Sequence, residues 1–200
     1  MDVDVLVPTR DRPAELATTL AGLAAQDGLR FRVILSGHAG RPIGLAALAM
    51  IRALRRQGIP VKTLSGRSCP GLAEQRDSLL QEADAPYVLF LNDDIWLKTG
   101  ALHQLYTAIS TLECGLVSYA DVPGCALFDR AALESGGSWA HHAGESIVSH
   151  QVTEQFGSVG IRPSGAVHLE SLVALSGEWT EIRDVTYGVA STHQTRTPMT

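Results

Sequence analysis

The residues with the clearest chemical potential in this sequence are Asn92, Asp93 and Asp94, which directly follow the apolar run Tyr87–Leu91. An uninterrupted apolar run rich in β-forming residues predicts a strand buried on both faces of a parallel sheet. Ligands of such sheets bind beyond the carboxyl ends of the strands. Two adjacent carboxylates there repel each other unless a cation, a proton or water compensates their charge. We therefore expect Asp93 and Asp94 to hold a divalent metal ion that binds a diphosphate; the alternative is an acidic turn before the next helix.

Regular alternation of strand and helix patterns surrounds this stretch. Mostly apolar stretches predict strands over residues 3–7, 31–35 and 87–91, and a further short strand is predicted over 61–64. Apolar residues at helical spacing follow each of them: a helix from Pro13, one over 42–57, one over 72–83, and one with Thr99 as its N-cap. Four alternations within about 110 residues predict an α/β fold with a mainly parallel sheet covered by helices.

The pattern becomes less regular after residue 118. Short strands are predicted over 115–119, 124–128, 157–161 and 166–169, with a short helix over 130–135 and a second helix ending near Phe156. We expect residues 1–190 to form a single domain with a regular half, 1–118, and a small irregular half, 119–190. The polar tail, 191–200, is expected to be loosely ordered.

Composition narrows the class of protein. The chain has 200 residues, of which 45% are hydrophobic and 18% charged, so it can build a core and is not a disordered chain. The net charge of -5 provides no basic surface for nucleic acid.

Three cysteines without a C-x-x-C pair argue against a disulfide framework, which favours a reducing, cytoplasmic setting. No signal peptide is expected, and the longest apolar run, 45–51, is too short to cross a bilayer.

Several nucleotide-binding and phosphoryl-transfer classes lack their motifs here. No G-x-G-x-x-G follows a predicted strand, which argues against Rossmann-type dinucleotide binding. No G-x-x-x-x-G-K-[ST] is present, which excludes P-loop NTPases. A phosphatase with an aspartyl nucleophile needs Asp at the strand end, where this chain has Asn92.

The remaining motifs resemble, in chain order, the inverting family 2 glycosyltransferases of the GT-A fold. The matching segments are 5–12, 71–77, 90–94, 124–130 with the following Gly136 and Gly137, 144–145, and 160–168. The resemblance implies a GT-A-like fold in which 1–118 binds the nucleotide sugar and 119–190 carries the acceptor side and the catalytic base. It also implies Mn²⁺ or Mg²⁺ as a cofactor, and transfer of the sugar to a hydroxyl group with inversion.

The same resemblance assigns roles to individual residues. The nucleotide sugar would be bound by Pro8, Thr9, Arg10, Arg12, Arg76, Asn92 and Asp93. Asp94 is the preferred direct metal ligand, because such cations favour carboxylates, with Asp93 second and His168 as a further ligand. The alternative for His168 is a hydrogen-bonded histidine at a strand end.

The catalytic base is the position at which this chain departs most from the family pattern. The family places an Asp after Glu145, and this chain has Ser146 there, which cannot act as a base near neutral pH without another group. Glu145 is therefore the candidate base; the alternative is a first-turn acid favoured by the helix dipole. Gly137 and Trp139 are expected on the acceptor side, although Trp139 could equally serve packing.

Two other functions remain open at the level of sequence. Asn92, Ser146 and the absence of acids after Leu35 are compatible with a GT-A-like nucleotide-binding domain that has lost or nearly lost catalysis. A nucleotidyltransferase on the related fold is weaker, because Pro8, Thr9 and Arg10 replace its glycine-rich opening loop. We expect a nucleotide sugar as donor, a saccharide, lipid or small molecule as acceptor, no nucleic acid, no transmembrane segment, and a homodimer as one candidate assembly.

Overall fold

Four strand–helix units form the first half of the chain. A computed structural model describes residues 1–9, 11–37, 43–64, 71–135, 145–162 and 165–169, with the side chains of 145–148 left out. The first elements are β1 (Val3–Pro8), α1 (Pro13–Ala24), β2 (Phe31–Ser36), α2 (Leu45–Arg56), β3 (Val61–Leu64), α3 (Leu72–Leu80) and β4 (Tyr87–Leu91).

Shorter elements follow β4. They are β5 (Ile95–Leu97), α4 (Ala101–Leu112), β6 (Leu116–Tyr119), β7 (Cys125–Asp129), α5 (Arg130–Ser135), α6 (Glu145–Phe156), β8 (Ser158–Ile161) and β9 (Ala166–His168). Seven strands form one sheet in the order β3-β2-β1-β4-β7-β6-β8, and β5 pairs with β9 in a separate small sheet. Strands β1 to β4 are mutually parallel, whereas β7 is antiparallel to both of its neighbours. The predicted α/β fold with a mainly parallel sheet is confirmed, and the antiparallel β7 is an addition to it.

Apolar side chains cover both faces of the central sheet. Successive residues of a strand point to opposite faces, so Val5 and Val7 join one buried cluster while Leu6 joins the other. Leu16 and Leu20 of α1 lie in the first cluster. Burial on both faces explains why β1, β2 and β4 are mostly apolar, whereas the edge strand β3 exposes Lys62 and Thr63.

One charged cluster is buried at the amino ends of the same strands. Asp4 is fully buried in β1 and accepts hydrogen bonds from both the Nε and Nη2 atoms of Arg32, at 2.8 and 2.7 Å. The backbone N–H groups of Asp84 and Ala85 donate to the same carboxylate, at 2.8 and 3.0 Å. This cluster therefore fixes β1, β2 and the turn before β4 to one another.

Near the site the structure corrects one sequence prediction and adds one strand. Thr99 is not the N-cap of α4; Gly100 is, with a positive φ of 78°, and α4 begins at Ala101. The strand β5, which is hydrogen-bonded to β9, was not predicted, because three residues are too few to show the alternation of apolar and polar residues that indicates a strand. The predicted tail, 191–200, lies outside the described residues, so the domain limits remain predictions.

No helix in the described parts of the chain has both the length and the apolar character needed to cross a membrane. Within the described ranges neither Cys114 nor Cys125 forms a disulfide, and Cys69 lies outside them.

Candidate functional site

The candidate site lies where β1 and β4 end side by side in the centre of the sheet. The two strands are parallel neighbours, with Leu6 opposite Phe90, while their chain continuations diverge to opposite sides of the sheet. A crevice forms at such a point of reversal, and this is where open α/β sheets bind ligands. Thr9 leaves β1 there, and Asn92 to Asp94 leave β4 there.

Thr9 and Arg12 hold the two adjacent carboxylates. The Thr9 hydroxyl donates to Asp93 Oδ2 at 2.7 Å. The guanidinium of Arg12 donates through Nη2 to Asp93 Oδ1 at 2.5 Å and through Nη1 to Asp94 Oδ2 at 2.8 Å. A single arginine thus bridges both acids and offsets part of their mutual repulsion. Burial alone would lower the pKa of Arg12, but the Asp93 and Asp94 carboxylates outweigh it and the pKa is raised.

The loop between β1 and α1 delivers Arg12 to this position. Asp11 adopts a left-handed backbone conformation, with φ of 56°, which Asp tolerates better than most residues. Arg12 then occupies the N-cap of α1, and Pro13 starts the helix. The amino end of α1 carries a partial positive charge, which favours carboxylates nearby.

Helix α1 also fixes the chain that follows the acids. The Thr19 hydroxyl donates to the backbone oxygen of Asp93 at 2.9 Å. Two residues beyond the end of α1, the Gln26 side-chain amide donates to Lys98 O at 2.9 Å and accepts from Leu102 N–H at 3.0 Å. Sequence reasoning missed both residues; the signal for Thr19 is a polar side chain among the buried positions of α1.

Asn92 is positioned from two sides. Its backbone N–H donates to Gly124 O at 2.9 Å, and its side-chain oxygen accepts from Arg76 Nη2 at 3.3 Å. Arg76 is itself buried, with its guanidinium carbon 5.7 Å from the centre of the Phe90 ring. The Asn92 amide, which stands where the family pattern has an acid, is therefore held in place by hydrogen bonds at the mouth of the crevice.

Gly124 is required by this arrangement, and we expect Gly124→Ala to destabilise the protein. Its φ is +84°, and a Cβ there would lie 2.2 Å from Asn92 Nδ2. Gly58→Ala is the matched control, because Gly58 has a φ of +81° and no atom within 4 Å of an added Cβ. The backbone cost of about 1 to 2 kcal/mol applies to both, so each melting temperature falls by roughly 2 to 8 °C. Thermal unfolding should show a clearly larger loss for Gly124→Ala; equal losses would contradict the contact with Asn92.

The donor set fits an oxygen-coordinating cation at Asp94. Its Oδ2 is engaged by Arg12, whereas its Oδ1 is buried and has no hydrogen-bond partner among the described residues. A buried carboxylate oxygen without a donor is costly, and a bound Mg²⁺ or Mn²⁺ would satisfy it. No group of three or more His, Cys, Asp or Glu side chains in the described ranges has metal-binding geometry. If a cation binds here, these carboxylates would supply only part of its coordination shell, and phosphate and water oxygens would complete it.

His168 is brought to the neighbourhood of the acids by the small sheet. It pairs with Ile95 in the β5–β9 ladder, and Leu169 N–H donates to the backbone oxygen of Asp94 at 2.9 Å. Pro8 is buried at the end of β1. Arg10, Gly137 and Trp139 lie outside the described residues, and Glu145 begins α6 with its side chain undescribed. The roles assigned to these residues remain predictions.

Comparison with known proteins agrees with the resemblance to glycosyltransferases. The family model described as Glycosyl transferase family 2 matches residues 4–123, more than half of the chain. No curated protein matches the sequence.

Solved glycosyltransferases share the fold. A structure of the mannosyltransferase PcManGT from Pyrobaculum calidifontis, in complex with GDP-Man and Mn²⁺, superposes with a TM-score of 0.68 at 17% identity, covering 80% of this chain and 54% of that one. Residues 1–349 of TarS from S. aureus superpose with a TM-score of 0.63 at 15% identity, covering 78% and 55%. The same TarS segment in complex with UDP-GlcNAc gives 0.56 at 17% identity, covering 68% and 47%. This chain thus spans about half of the length of these structures, and the predicted GT-A-like fold is confirmed.

Proposed function

Because this chain belongs to glycosyl transferase family 2, we propose that it transfers a sugar from a nucleoside diphosphate sugar to a hydroxyl-bearing acceptor, with metal assistance and inversion. The observation that carries the proposal is the pair of carboxylates that follows β4, in which one buried oxygen of Asp94 has no hydrogen-bond donor among the described residues. Two structures with this fold contain GDP-Man or UDP-GlcNAc, which supports a nucleotide sugar as the donor.

The donor would lie across the crevice with its diphosphate at the acids. Asp94 is the proposed direct ligand of Mn²⁺ or Mg²⁺, Asp93 the second, and His168 a further one. When bound, the cation neutralises the charge that builds on the departing diphosphate. Thr9 keeps Asp93 oriented, and the amide of Asn92 is available to a ribose hydroxyl. Arg76 holds that amide in place.

The acceptor side of the proposal rests on residues at and before α6. The acceptor hydroxyl attacks the anomeric carbon as its proton passes to a base, and the bond to the diphosphate oxygen breaks. Attack from the face opposite the leaving group inverts the configuration at this carbon. Glu145 at the start of α6 is the proposed base, with Gly137 and Trp139 on the acceptor side. The acceptor is a saccharide, a lipid or a small molecule with a free hydroxyl group.

We expect Glu145→Gln to reduce sugar transfer by about 100-fold or more, the usual scale of general-base catalysis, without weakening donor binding. Release of nucleoside diphosphate from UDP- and GDP-sugars, with Mn²⁺ and a mixture of simple glycoside acceptors, measures the rate. Glu154→Gln is the matched control, because Glu154 lies on the same helix and pairs with His150 in an exposed salt bridge.

A second function, a nucleotide-binding domain with impaired catalysis, is favoured by Ser146, which stands where the family has an acid. Equal low rates for the wild type and Glu145→Gln, together with intact nucleotide binding, would support that second function. A large loss confined to Glu145→Gln would support the enzyme and contradict the impaired domain.

A further inference from the structure

Arg12 is an internal cation bound to the carboxylates that the metal would use. We propose that Arg12 closes on Asp93 and Asp94 when the donor is absent, is displaced by the divalent cation, and then turns to the diphosphate. This inference rests on the proposed function and deepens it. It makes Arg12 a positioning residue that couples metal binding to nucleotide binding.

The first argument is shared atoms. Asp94 Oδ2 accepts from Arg12 Nη1 at 2.8 Å, and Asp93 Oδ1 accepts from Nη2 at 2.5 Å. Asp93 Oδ2 is bonded to Thr9, which leaves Asp94 Oδ1 as the one carboxylate oxygen of the pair with no hydrogen-bond partner among the described residues. A cation bound at that oxygen, and sharing Asp94 Oδ2, competes directly with Arg12.

The second argument is charge. The two carboxylates carry a charge of about −2, and Arg12 contributes +1 in a bridging geometry that suits guanidinium especially well. A divalent cation brought to the same oxygens meets repulsion from Arg12 while no further anion is present. A diphosphate removes that repulsion, because its oxygens accept from the displaced guanidinium and coordinate the cation. Metal and nucleotide should therefore each raise the affinity of the protein for the other.

The third argument is which partner can move. The Asp93 side chain is 1% exposed and stays bonded to Thr9, whereas the Arg12 side chain is 45% exposed. Arg12 is also the N-cap residue of α1, so its side chain can rotate outward without breaking a helical hydrogen bond. The moving group is therefore the arginine, and the acids form the fixed part of the site.

Binding of Mn²⁺ in the presence and absence of nucleotide tests this coupling without a rate measurement. The free Mn²⁺ signal in electron paramagnetic resonance gives the affinity for the ion alone and with saturating UDP or GDP. For the wild type we expect weak binding alone and at least tenfold tighter binding with nucleotide. Arg12→Gln should bind Mn²⁺ alone about tenfold more tightly than the wild type, about 1.4 kcal/mol, and its gain from nucleotide should shrink.

Arg56→Gln is the matched control for net charge. Arg56 is an exposed residue at the carboxyl end of α2, and it is the opposite end of this helix, at Gly44, that lies beside Pro13. Its substitution changes the net charge by the same amount as that of Arg12. It should leave both Mn²⁺ affinities at wild-type values. If Arg12→Gln does not fold by circular dichroism, Arg12→Lys replaces it, since lysine retains the charge without the two-pronged bridge and should give a shift of about threefold in the same direction.

Two outcomes overturn the proposal, and they differ in what else they overturn. If the wild type binds Mn²⁺ with nucleotide and the Arg12 variant shows the same two affinities, the Arg12 displacement is wrong while the proposed function stands. If no variant binds Mn²⁺ under any condition, both the displacement and the metal-assisted function are wrong.

Discussion

Asp94→Asn should reduce metal-dependent sugar transfer by about 100-fold or more. A cation that stabilises the departing diphosphate is worth several kcal/mol, and each 1.36 kcal/mol changes the rate about tenfold. The substitution preserves shape and removes the charge from the residue whose Oδ1 is buried without a hydrogen-bond partner among the described residues. Asp94 is more informative than Asp93, because Arg12 contacts both acids but only Asp93 also accepts from Thr9 and is 1% exposed, so its loss would disturb the fold.

The rate is measured as nucleoside diphosphate released per unit time over a range of Mn²⁺ concentrations. Asp27→Asn is the matched control, since Asp27 is exposed beyond the end of α1 and undergoes the same chemical change. Its rate should equal that of the wild type. An Asp94→Asn variant within about threefold of wild type, with unchanged metal dependence, would remove Asp94 from the proposed metal site.

The second large effect concerns stability: Asp4→Ala should lower the free energy of unfolding by about 3 to 5 kcal/mol. Removing the buried partner of an ion pair is strongly destabilising, and without Asp4 the Arg32 guanidinium keeps its ion pair with Asp84, whose side chain is 76% exposed. The backbone N–H groups of Asp84 and Ala85 also lose their acceptor. Domains of ordinary stability unfold with about 5 to 15 kcal/mol in total, so the variant sits near the limit of folding. Urea denaturation followed by circular dichroism measures the change.

Asp2→Ala serves as the control in the same segment. Asp2 pairs with Arg30, whose side chain is 78% exposed, and surface pairs contribute little. Asp2→Ala should lower the free energy of unfolding by only a small fraction of the decrease seen for Asp4→Ala. Comparable decreases would contradict the importance assigned to burial at Asp4.

The same carboxylate predicts a pH dependence. Burial alone would raise the pKa of Asp4, but hydrogen bonds from Arg32, Ala85 and Asp84 outweigh burial, and the pKa lies below its ordinary value of 3.8. Because the pKa of Asp4 is lower in the folded protein than in the unfolded chain, its ionised carboxylate stabilises the fold at pH values above the unfolded pKa. This contribution is lost as the pH falls through the pKa of the folded state. The stability difference between wild type and Asp4→Asn should therefore be constant near neutrality and narrow below about pH 4.

Much of the nucleotide-binding half could be predicted from sequence because its signals are local. The strands β1, β2 and β4 are buried on both faces and are therefore mostly apolar in sequence. The acids follow the last of these runs directly, so their place at the carboxyl edge of the sheet follows from chain order alone.

The contacts that organise the site could not be predicted in the same way. Arg12 and Asp93 are 81 residues apart, and no periodic pattern encodes that such residues meet. The resemblance assigned Arg12 to nucleotide-sugar binding, and the structure shows it bound to Asp93 and Asp94. Thr19 resembles an ordinary polar residue of an amphipathic helix until its bond to the Asp93 backbone is seen. The α4 start was misjudged for a local reason: Gly100, not Thr99, has the left-handed conformation that precedes the helix.

The central claim is that the Asp93–Asp94 pair binds a metal–nucleotide diphosphate. Calorimetric titration of the wild type with UDP and GDP, each with Mn²⁺ and with EDTA, tests it most directly, and UMP and GMP serve as controls without the diphosphate. We expect at least one diphosphate to bind saturably with Mn²⁺, at least tenfold more weakly with EDTA, and more tightly than its monophosphate. Absence of metal-dependent binding of either diphosphate would contradict the claim.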